Sequence, residues 1–393
     1  MNHAQPVPSP SIALLETLIA FPSVSLKPNV ALIDTVAQIL AQAGIASIRV
    51  PDPQDPSRSN LFASVGPEGV PGVLLSGHTD VVPVDGQPWT SPPFEATHKE
   101  GRIYGRGAAD MKGFVACAVT AMVAAAQRPL TRPLQLALSF DEEIGCMGVR
   151  HLLRRLEGQL PAPYLCIVGE PTLMRIGTGH KGKAAFRALC CGQAGHSGLA
   201  PRFVNAIHMA SDFVAAARDV QRELAETGPR EAGYGVPYST VHVGTVHGGR
   251  ALNIVPSECE LSFEIRNVSD DRPELILERI LARLAARVAS EALYPDAPPP
   301  DIQLTNSYPS LNTPEDAPAV GLLSSLLPPG TPRTKVDYGT EGGLFRQSWA
   351  QTPVLVCGPG SIEVAHKADE YVERSQIEAC DRMLQGLVDF LCQ

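Results

Sequence analysis

The sequence lacks the features of an exported or membrane-spanning protein. None of its apolar runs approaches the roughly 20 residues that a helix needs to cross a bilayer. The segment from Met1 to Pro10 contains no Lys or Arg and leads into an amphipathic stretch, whereas a signal peptide combines a charged start with an apolar core. We therefore expect a soluble, cytoplasmic protein.

Cysteine pairs typical of disulfide scaffolds and an excess of basic residues are absent too. The nine cysteines include no CxxC pair and show no disulfide framework, which favours reduced thiols. The 32 basic residues are outnumbered by 41 acidic residues, for a net charge of -9. This balance argues against a nucleic-acid or anionic-membrane partner and is compatible with a small cationic substrate.

The order of predicted elements indicates one domain inserted into another, as expected for 393 residues, more than a single core usually organises. Residues 11–179 alternate helical stretches with short apolar strands, which predicts a mostly parallel sheet covered by helices. The following region reads β-α-β-β-α-β, the split unit of ferredoxin-like domains. We predict an α/β catalytic domain formed by residues 1–181 and 308–393, with an inserted ferredoxin-like α+β domain at residues 182–307 that serves as a lid and for dimerisation. The Pro-rich segment Pro295 to Pro300 leads back into the α/β pattern.

Several side chains suited to metal binding lie where predicted strands end. Four of them follow short apolar runs, and the fifth, Asp110, lies in a glycine-rich turn before a helix. Because ligands gather outside the carboxyl ends of the strands in open α/β sheets, these side chains are expected to converge. A hydrolytic metal centre is the natural interpretation. The set is His78, Asp110, Glu143, Glu170 and His366.

Each of these motifs has an ordinary alternative when it is taken alone. His78 fits a metal ligand whose second ring N–H donates to Asp80, but it also fits an unremarkable histidine at the end of a strand. Residues 141–143 fit a solvated acidic turn, or a pair of glutamates in which one binds metal and the other takes a proton from water. The shared placement at strand ends favours the metal centre.

Two glycine-rich segments match nucleotide-binding loops only superficially. Gly105 to Gly113 lacks the preceding strand and the third glycine of a dinucleotide loop. Gly177 to Ala184 ends without the hydroxyl that binds Mg²⁺ in a phosphate loop, and a strand pattern follows where that loop requires a helix. Nucleotide binding is therefore disfavoured.

Several segments, in their order and spacing, resemble the dinuclear zinc amidohydrolase family that includes acetylornithine deacetylase and succinyl-diaminopimelate desuccinylase. These segments are Ser76 to Pro83, Gly105 to Gly113, Asp141 to Glu143, Gly169 to Thr172 and Gly195 to Ser197. Three more segments look most like the acetylornithine deacetylase branch of the family. They are His180 to Lys183, Gly339 to Gly343 and Gly358 to Tyr371.

The resemblance implies a reaction and leaves alternatives open. It implies a cytoplasmic homodimer that hydrolyses N2-acetyl-L-ornithine to acetate and L-ornithine in arginine biosynthesis. Succinyl-diaminopimelate desuccinylase, or another amidohydrolase or dipeptidase acting on acylated amino acids, is the first alternative. A non-catalytic relative that binds an amino-acid derivative is the second.

The resemblance also implies how the metal ligands divide. His78 and Glu170 would hold one Zn²⁺, Glu143 and His366 would hold the other, and Asp110 would bridge the two ions. Each subunit would therefore bind two zinc ions, with Co²⁺ as a candidate substitute.

Further roles follow from the same resemblance. Glu142 would be the general base and Asp80 would orient a metal ligand. His196 would stabilise the oxyanion, in the partner subunit's active site, with a histidine on the surface of the lid as the alternative. An ion pair at a strand edge is the alternative for Arg266, and a structural role is the alternative for Glu341. The candidate substrate-binding residues are Asn253, Arg266, Thr340 and Glu341.

Overall fold

The computed structural model describes residues 9–290 and 297–393. The first eight residues and the beginning of the Pro-rich segment, on which the sequence analysis drew, lie outside the described residues. The chain divides into two compact units. The first unit consists of Met1–Gly179, Leu311–Val336 and Thr340–Gln393, and the second of His180–Ser310 and Asp337–Gly339.

The regular elements of the described residues are numbered in chain order. The helices are α1 (Pro10–Ile19), α2 (Val30–Gln42), α3 (Lys112–Ala125), α4 (Met147–Leu156), α5 (Ala206–Thr227), α6 (Pro273–Ser290), α7 (Pro318–Ser325), α8 (Gly342–Ser348) and α9 (Arg374–Leu391). The strands are β1 (Ser47–Pro51), β2 (Ser59–Val65), β3 (Val73–His78), β4 (Thr97–Lys99), β5 (Arg102–Tyr104), β6 (Leu134–Ser139), β7 (Leu165–Pro171), β8 (Ile176–His180), β9 (Gly182–Cys191), β10 (Gly195–His196), β11 (Thr240–Gly248), β12 (Ile254–Val255), β13 (Glu258–Asn267), β14 (Asp301–Tyr308), β15 (Leu311–Asn312), β16 (Arg333–Val336), β17 (Val354–Gly358) and β18 (Tyr371–Glu373).

A mixed sheet with a parallel centre forms the middle of the first unit. Its strand order is β1-β2-β6-β3-β7-β17-β8-β15, and β16 pairs with β8. The pairs β6–β3, β3–β7 and β7–β17 are parallel, and all residues of these four strands are buried. Helices α1, α2, α3 and α9 supply apolar side chains to the core beside this sheet. The predicted α/β class, with a mostly parallel sheet covered by helices, is confirmed.

The parallel strands at the middle of this sheet determine where the polar side chains that follow them come together. Strand β3 ends at His78, and β6 ends two residues before the turn at residues 141–143. The third strand, β7, carries Glu170 close to its own end. Since these strands run in the same direction, their carboxyl ends share one edge of the sheet. Gly169 allows β7 to pass the α3 helix at close range, because a Cβ atom there would lie 1.9 Å from the ring of Phe114.

The second unit contains a four-stranded antiparallel sheet in the order β11-β13-β9-β14. Along the chain its main elements run β9-α5-β11-β13-α6-β14, which is the predicted β-α-β-β-α-β sequence. Burial alternates along β9 and β13, as expected for a sheet with one covered face. The rings of Phe186 and Phe213 each lie 5.0 Å from the ring of Phe263 in the core between this sheet and its helices.

Two further observations bear on the sequence-based expectations. All nine cysteines are free thiols, in line with the expectation of reduced cysteines, and Cys190 is buried in β9. Among the helices of residues 9–290 and 297–393, none combines the length and apolar character required to cross a membrane.

Candidate metal centre

A first group of metal-binding side chains forms at the carboxyl ends of β3 and β7. The Nε2 atom of His78 lies 3.0 Å from Oδ1 of Asp110 and 3.9 Å from Oε1 of Glu170. All three side chains are buried. Their ligand atoms lie within 4.8 Å of one another, which is close enough to surround one ion.

A second group shares Asp110 with the first. The Nε2 atom of His366 lies 3.2 Å from Oδ2 of Asp110 and 2.9 Å from Oε2 of Glu143. These ligand atoms also fall within 4.8 Å of one another. Because the two oxygens of Asp110 face different histidines, its carboxylate lies between two candidate ion positions.

The carboxylates of this centre are crowded in a buried space. Burial raises the pKa of Glu142 and of Glu170 well above the usual carboxyl value. Burial, with the neighbouring charge of Asp110, raises the pKa of Glu143 to about 7. Burial would also raise the pKa of Asp110, but hydrogen bonds from His366 and His78 hold it below its usual value. The cluster therefore needs positive charge close by.

The two histidines supply that charge when they are protonated. Burial opposes protonation of His78, yet the hydrogen bond to Asp110 and the charge of Glu170 raise its pKa well above the usual value. Hydrogen bonds to Asp110 and Glu143 raise the pKa of His366 to about 10. Metal cations bound between these side chains would supply the same positive charge.

The donor set fits a pair of divalent ions of the zinc type. Imidazole nitrogen and carboxylate oxygen are ligands that Zn²⁺ accepts, and one bridging carboxylate between two ions is a known arrangement of hydrolytic sites. His78 and Glu170 would hold one ion, and Glu143 and His366 would hold the other. Asp110 would contribute one oxygen to each ion.

Asp80 contacts the centre differently from the prediction. The Nδ1 atom of His78 lies 2.9 Å from the main-chain oxygen of Asp80 and 3.7 Å from its carboxylate Oδ1. The carboxylate instead accepts hydrogen bonds from the main-chain N–H groups of Glu142, at 3.0 Å, and Glu143, at 3.3 Å, and from the Ser25 hydroxyl. The carbonyl therefore orients the histidine, and the carboxylate holds the two glutamates.

The turn that carries the two glutamates has a second anchor. Asp141 adopts a left-handed backbone conformation with φ of 53°, and its carboxylate accepts a hydrogen bond from the main-chain N–H of Leu26 at 2.7 Å. The guanidinium of Arg58 pairs with the carboxylates of Asp141 and Asp52. The acidic turn is therefore a buried and paired structure rather than a solvated surface turn.

Glu142 is 8% exposed at the edge of this centre. One of its oxygens, Oε1, accepts a hydrogen bond from the Cys146 thiol at 3.2 Å. Burial leaves the carboxyl with a raised pKa, which suits a group that takes and returns a proton near neutral pH.

Two predicted substrate-binding residues of the first unit lie below the surface. Thr340 is fully buried, and its hydroxyl accepts a hydrogen bond from the main-chain N–H of Gly342 at the start of α8. Glu341 is 1% exposed, and its Oε2 accepts from the Ser76 hydroxyl at 3.1 Å. Burial raises the pKa of Glu341 to about 7. The contacts of Glu341 match the structural role that was its alternative.

The remaining predicted residues belong to the second unit. Arg266 pairs with Glu264 at 3.0 Å and donates to the Tyr308 hydroxyl at 2.8 Å, which matches the strand-edge ion pair. Asn253 is exposed, and its main-chain oxygen accepts from Ser197. His196 is exposed as well, and its Nδ1 accepts from the main-chain N–H of Gly198 at 3.0 Å.

Sequence reasoning missed side chains that act on the centre through others. Cys146 contacts Glu142, Arg58 pairs with Asp141, and Glu370 accepts from the main-chain N–H of Asp110. None of them follows the carboxyl end of a predicted strand. Cys146 and Glu370 lie near the acidic and histidine motifs and Arg58 lies near neither, so the sequence did not reveal these contacts.

Comparisons with known proteins find relatives of this chain over nearly its whole length. The family model described as Peptidase family M20/M25/M40 matches residues 74–389. The acetylornithine deacetylase of Proteus mirabilis (strain HI4320) is 33% identical over 394 residues, covering 97% of this chain and 96% of that protein. The acetylornithine deacetylase of Yersinia pseudotuberculosis serotype O:1b (strain IP 31758) is 34% identical over 401 residues, covering 98% of each chain.

Solved structures show the same fold at much lower identity. The M20 family metallo-carboxypeptidase Sso-CP2 from Sulfolobus solfataricus has a TM-score of 0.77 and 17% identity, covering 97% of this chain and 99% of that chain. Aminopeptidase PepT from Bacillus cereus ATCC 10987 has a TM-score of 0.76 and 16% identity, covering 98% of each chain.

Metal loading of the centre is expected to release protons. Binding requires neutral imidazole and ionised carboxylate, whereas the pKa of His366 is about 10 and that of Glu143 is about 7. When metal binds below about pH 7, both His366 and Glu143 release a proton. When metal binds at about pH 9, Glu143 has already lost its proton, so only His366 releases one. Calorimetric titration with chelator-buffered Zn²⁺, in buffers of different protonation enthalpy, should show more protons released at the lower pH. Equal release at both pH values would contradict this account.

Proposed function

Because this chain belongs to peptidase family M20/M25/M40, we propose that its reaction is hydrolysis of N2-acetyl-L-ornithine to acetate and L-ornithine. The chain is a metal-dependent hydrolase, and the identity of its substrate is our proposal. The main support is similarity to acetylornithine deacetylases over nearly the whole chain, together with two ligand groups that share Asp110. The proposal includes two Zn²⁺ ions per subunit, with Co²⁺ as a substitute, and a cytoplasmic homodimer acting in arginine biosynthesis.

The proposed mechanism assigns the proton transfers to Glu142. The two bound ions would supply Lewis acidity that polarises the scissile carbonyl and lowers the pKa of a water molecule. Glu142 takes a proton from the attacking water and returns it to the amine as the amide C–N bond breaks. Burial raises the pKa of this carboxyl, and the hydrogen bond from the Cys146 thiol helps to fix its position.

Asp80 and Arg58 contribute by holding the turn that carries Glu142. The Asp80 carboxylate binds two consecutive main-chain N–H groups of this turn, and Arg58 binds the Asp141 carboxylate. Fixing the backbone at these points limits the directions in which Glu142 can reach. Asp80 is therefore proposed as a positioning residue for Glu142.

The substrate-binding assignments differ in their support. Asn253 is exposed and remains a proposed ligand of the substrate's carboxylate. Arg266 is proposed for the same role, with a guanidinium that also pairs with Glu264 and donates to Tyr308. Thr340 and Glu341 are proposed as supports beneath the centre, because both side chains are buried.

A comparison of substrates tests the proposed reaction. Zinc-loaded protein is incubated separately with N2-acetyl-L-ornithine, N2-acetyl-L-citrulline and N-succinyl-diaminopimelate, and the released amine is measured. We expect the highest kcat/KM for acetylornithine, since the acidic chain favours a cationic side chain over the neutral citrulline side chain. Preference for the succinylated compound would assign the desuccinylase reaction instead, and binding without turnover of any of the three would indicate a non-catalytic relative.

Replacing the proposed general base tests the mechanism. Glu142→Gln keeps the shape of the side chain but cannot accept the proton, so kcat should fall by about 10²–10⁴-fold while two ions remain bound. Metal analysis and steady-state kinetics measure both quantities. Glu378→Gln, an exposed glutamate on α9, is the matched control and should behave as the unsubstituted protein. Full activity in Glu142→Gln would remove Glu142 as the base.

His196 is proposed to stabilise the oxyanion in the partner subunit's active site. His196→Ala should lower kcat by about 10²–10³-fold with metal retained, the usual effect of losing one oxyanion donor. His208→Ala, another exposed histidine of the second unit, is the control.

Mixing two inactive variants tests the partner arrangement directly. If His196 acts across the dimer, co-expression of His196→Ala with Glu142→Gln should restore part of the activity, because one site of each mixed dimer then has both groups intact. If His196 acts within its own subunit, no site in the mixed dimer is complete. Absence of recovery in verified mixed dimers would therefore reject the partner arrangement.

A further inference from the structure

We propose that Gln87, Arg106 and Glu370 form a brace that positions His366 and Asp110 for metal binding. The inference rests on the proposed metal centre and extends it to three residues that touch neither ion. In this role they are positioning residues, since they act through the two ligands that they hold.

His366 needs support that the other histidine does not. His78 is the last residue of β3, with its side chain 2% exposed, so the sheet fixes its position. His366 lies in the segment between β17 and β18, and its side chain is 50% exposed. Its backbone has a φ of 62°, in the left-handed region that residues other than glycine adopt uncommonly.

Glu370 fixes the turn that contains Asp110. Its Oε1 atom accepts hydrogen bonds from the main-chain N–H groups of Ala109, at 2.9 Å, and Asp110, at 3.0 Å. Its Oε2 atom accepts from Nη1 of Arg106 at 2.6 Å. Both members of this ion pair are 1% exposed, so neither charge can turn to water if the other is removed.

Arg106 and Gln87 connect the same ion pair to His366. Arg106 donates to the main-chain oxygen of Lys367 at 3.2 Å and to the side-chain oxygen of Gln87. The amide nitrogen of Gln87 in turn donates to the main-chain oxygen of His366 at 3.0 Å. Trp89 packs against the guanidinium, with its ring centre 5.1 Å from Cζ, and donates to the Gln87 oxygen.

The brace therefore joins two ligands that lie 256 positions apart in the chain, from Asp110 to His366. The brace contacts the main chain of His366, so it fixes the position of the backbone that carries the imidazole and not the rotation of the side chain. Partners of this kind, one step removed from the ion, typically change metal affinity by about 10–100-fold when they are lost.

The two ends of the brace predict different effects. Gln87→Met removes the hydrogen bond to His366 and the oxygen that accepts from Arg106 and Trp89, and it leaves the Glu370 contacts with Asp110 in place. It should weaken only the site that contains His366, by about 10–100-fold. Glu370→Gln disturbs Asp110, which is shared, and should weaken both sites.

The test measures metal binding rather than turnover. Metal-free full-length protein is titrated with Co²⁺, and the two affinities are obtained by calorimetry and by the visible absorption of the bound ion. His78→Ala and His366→Ala identify which binding step belongs to which site. Glu373→Gln is the matched control, because it neutralises an exposed ion pair with Arg102 on the strand that follows the brace.

The outcomes separate this inference from the proposed function. Unsubstituted protein that fails to bind two ions would contradict the metal centre itself. Two ions bound normally, with unchanged affinities in both Gln87→Met and Glu370→Gln, would overturn the brace and leave the metal centre intact. Equal weakening of both sites by Gln87→Met would overturn the link to His366. Gln87 is only partly buried, so its variant keeps the test informative if Glu370→Gln does not fold.

Discussion

Negative charge gathered at one edge of a buried sheet is the constraint on which the rest of this structure depends. Asp110, Glu143 and Glu170 approach one another where water cannot screen them, and the carboxyl of Glu142 lies beside them. Such a cluster is costly unless cations or protons are present. Burial and the neighbouring charge of Asp110 raise the pKa of Glu143, and hydrogen bonds to Asp110 and Glu143 raise the pKa of His366. Binding of two ions would displace the protons from these groups.

The carboxylates around the cluster form hydrogen bonds mainly with main-chain N–H groups. Asp80 binds the N–H groups of Glu142 and Glu143, and Glu370 binds those of Ala109 and Asp110. Each of these carboxylates satisfies two consecutive main-chain donors. A turn held in this way presents its own side chain in a defined direction, which is what a metal ligand or a proton acceptor requires.

Much of the fold and part of the candidate site could be predicted from the sequence. Short apolar runs before His78 and Glu143 predicted buried parallel strands, and the shared direction of such strands predicted that the following side chains converge. The prediction for Asp80 had the wrong acceptor atom, because residue spacing does not distinguish a carbonyl from a carboxylate two residues away. The burial of Thr340 and Glu341 could not be predicted either, since a motif reveals residue type but not depth below the surface.

By itself the sequence determined the α/β class, the inserted β-α-β-β-α-β region and the candidate ligands, because all of these follow from local periodicity and from chemistry at strand ends. Only the tertiary structure decided which oxygen of Asp110 faces which histidine, and that Glu370 and Arg106 lie beneath that turn. These contacts join residues far apart in the chain. Their geometry depends on how loops between strands pack, for which no short-range pattern in the sequence provides a signal.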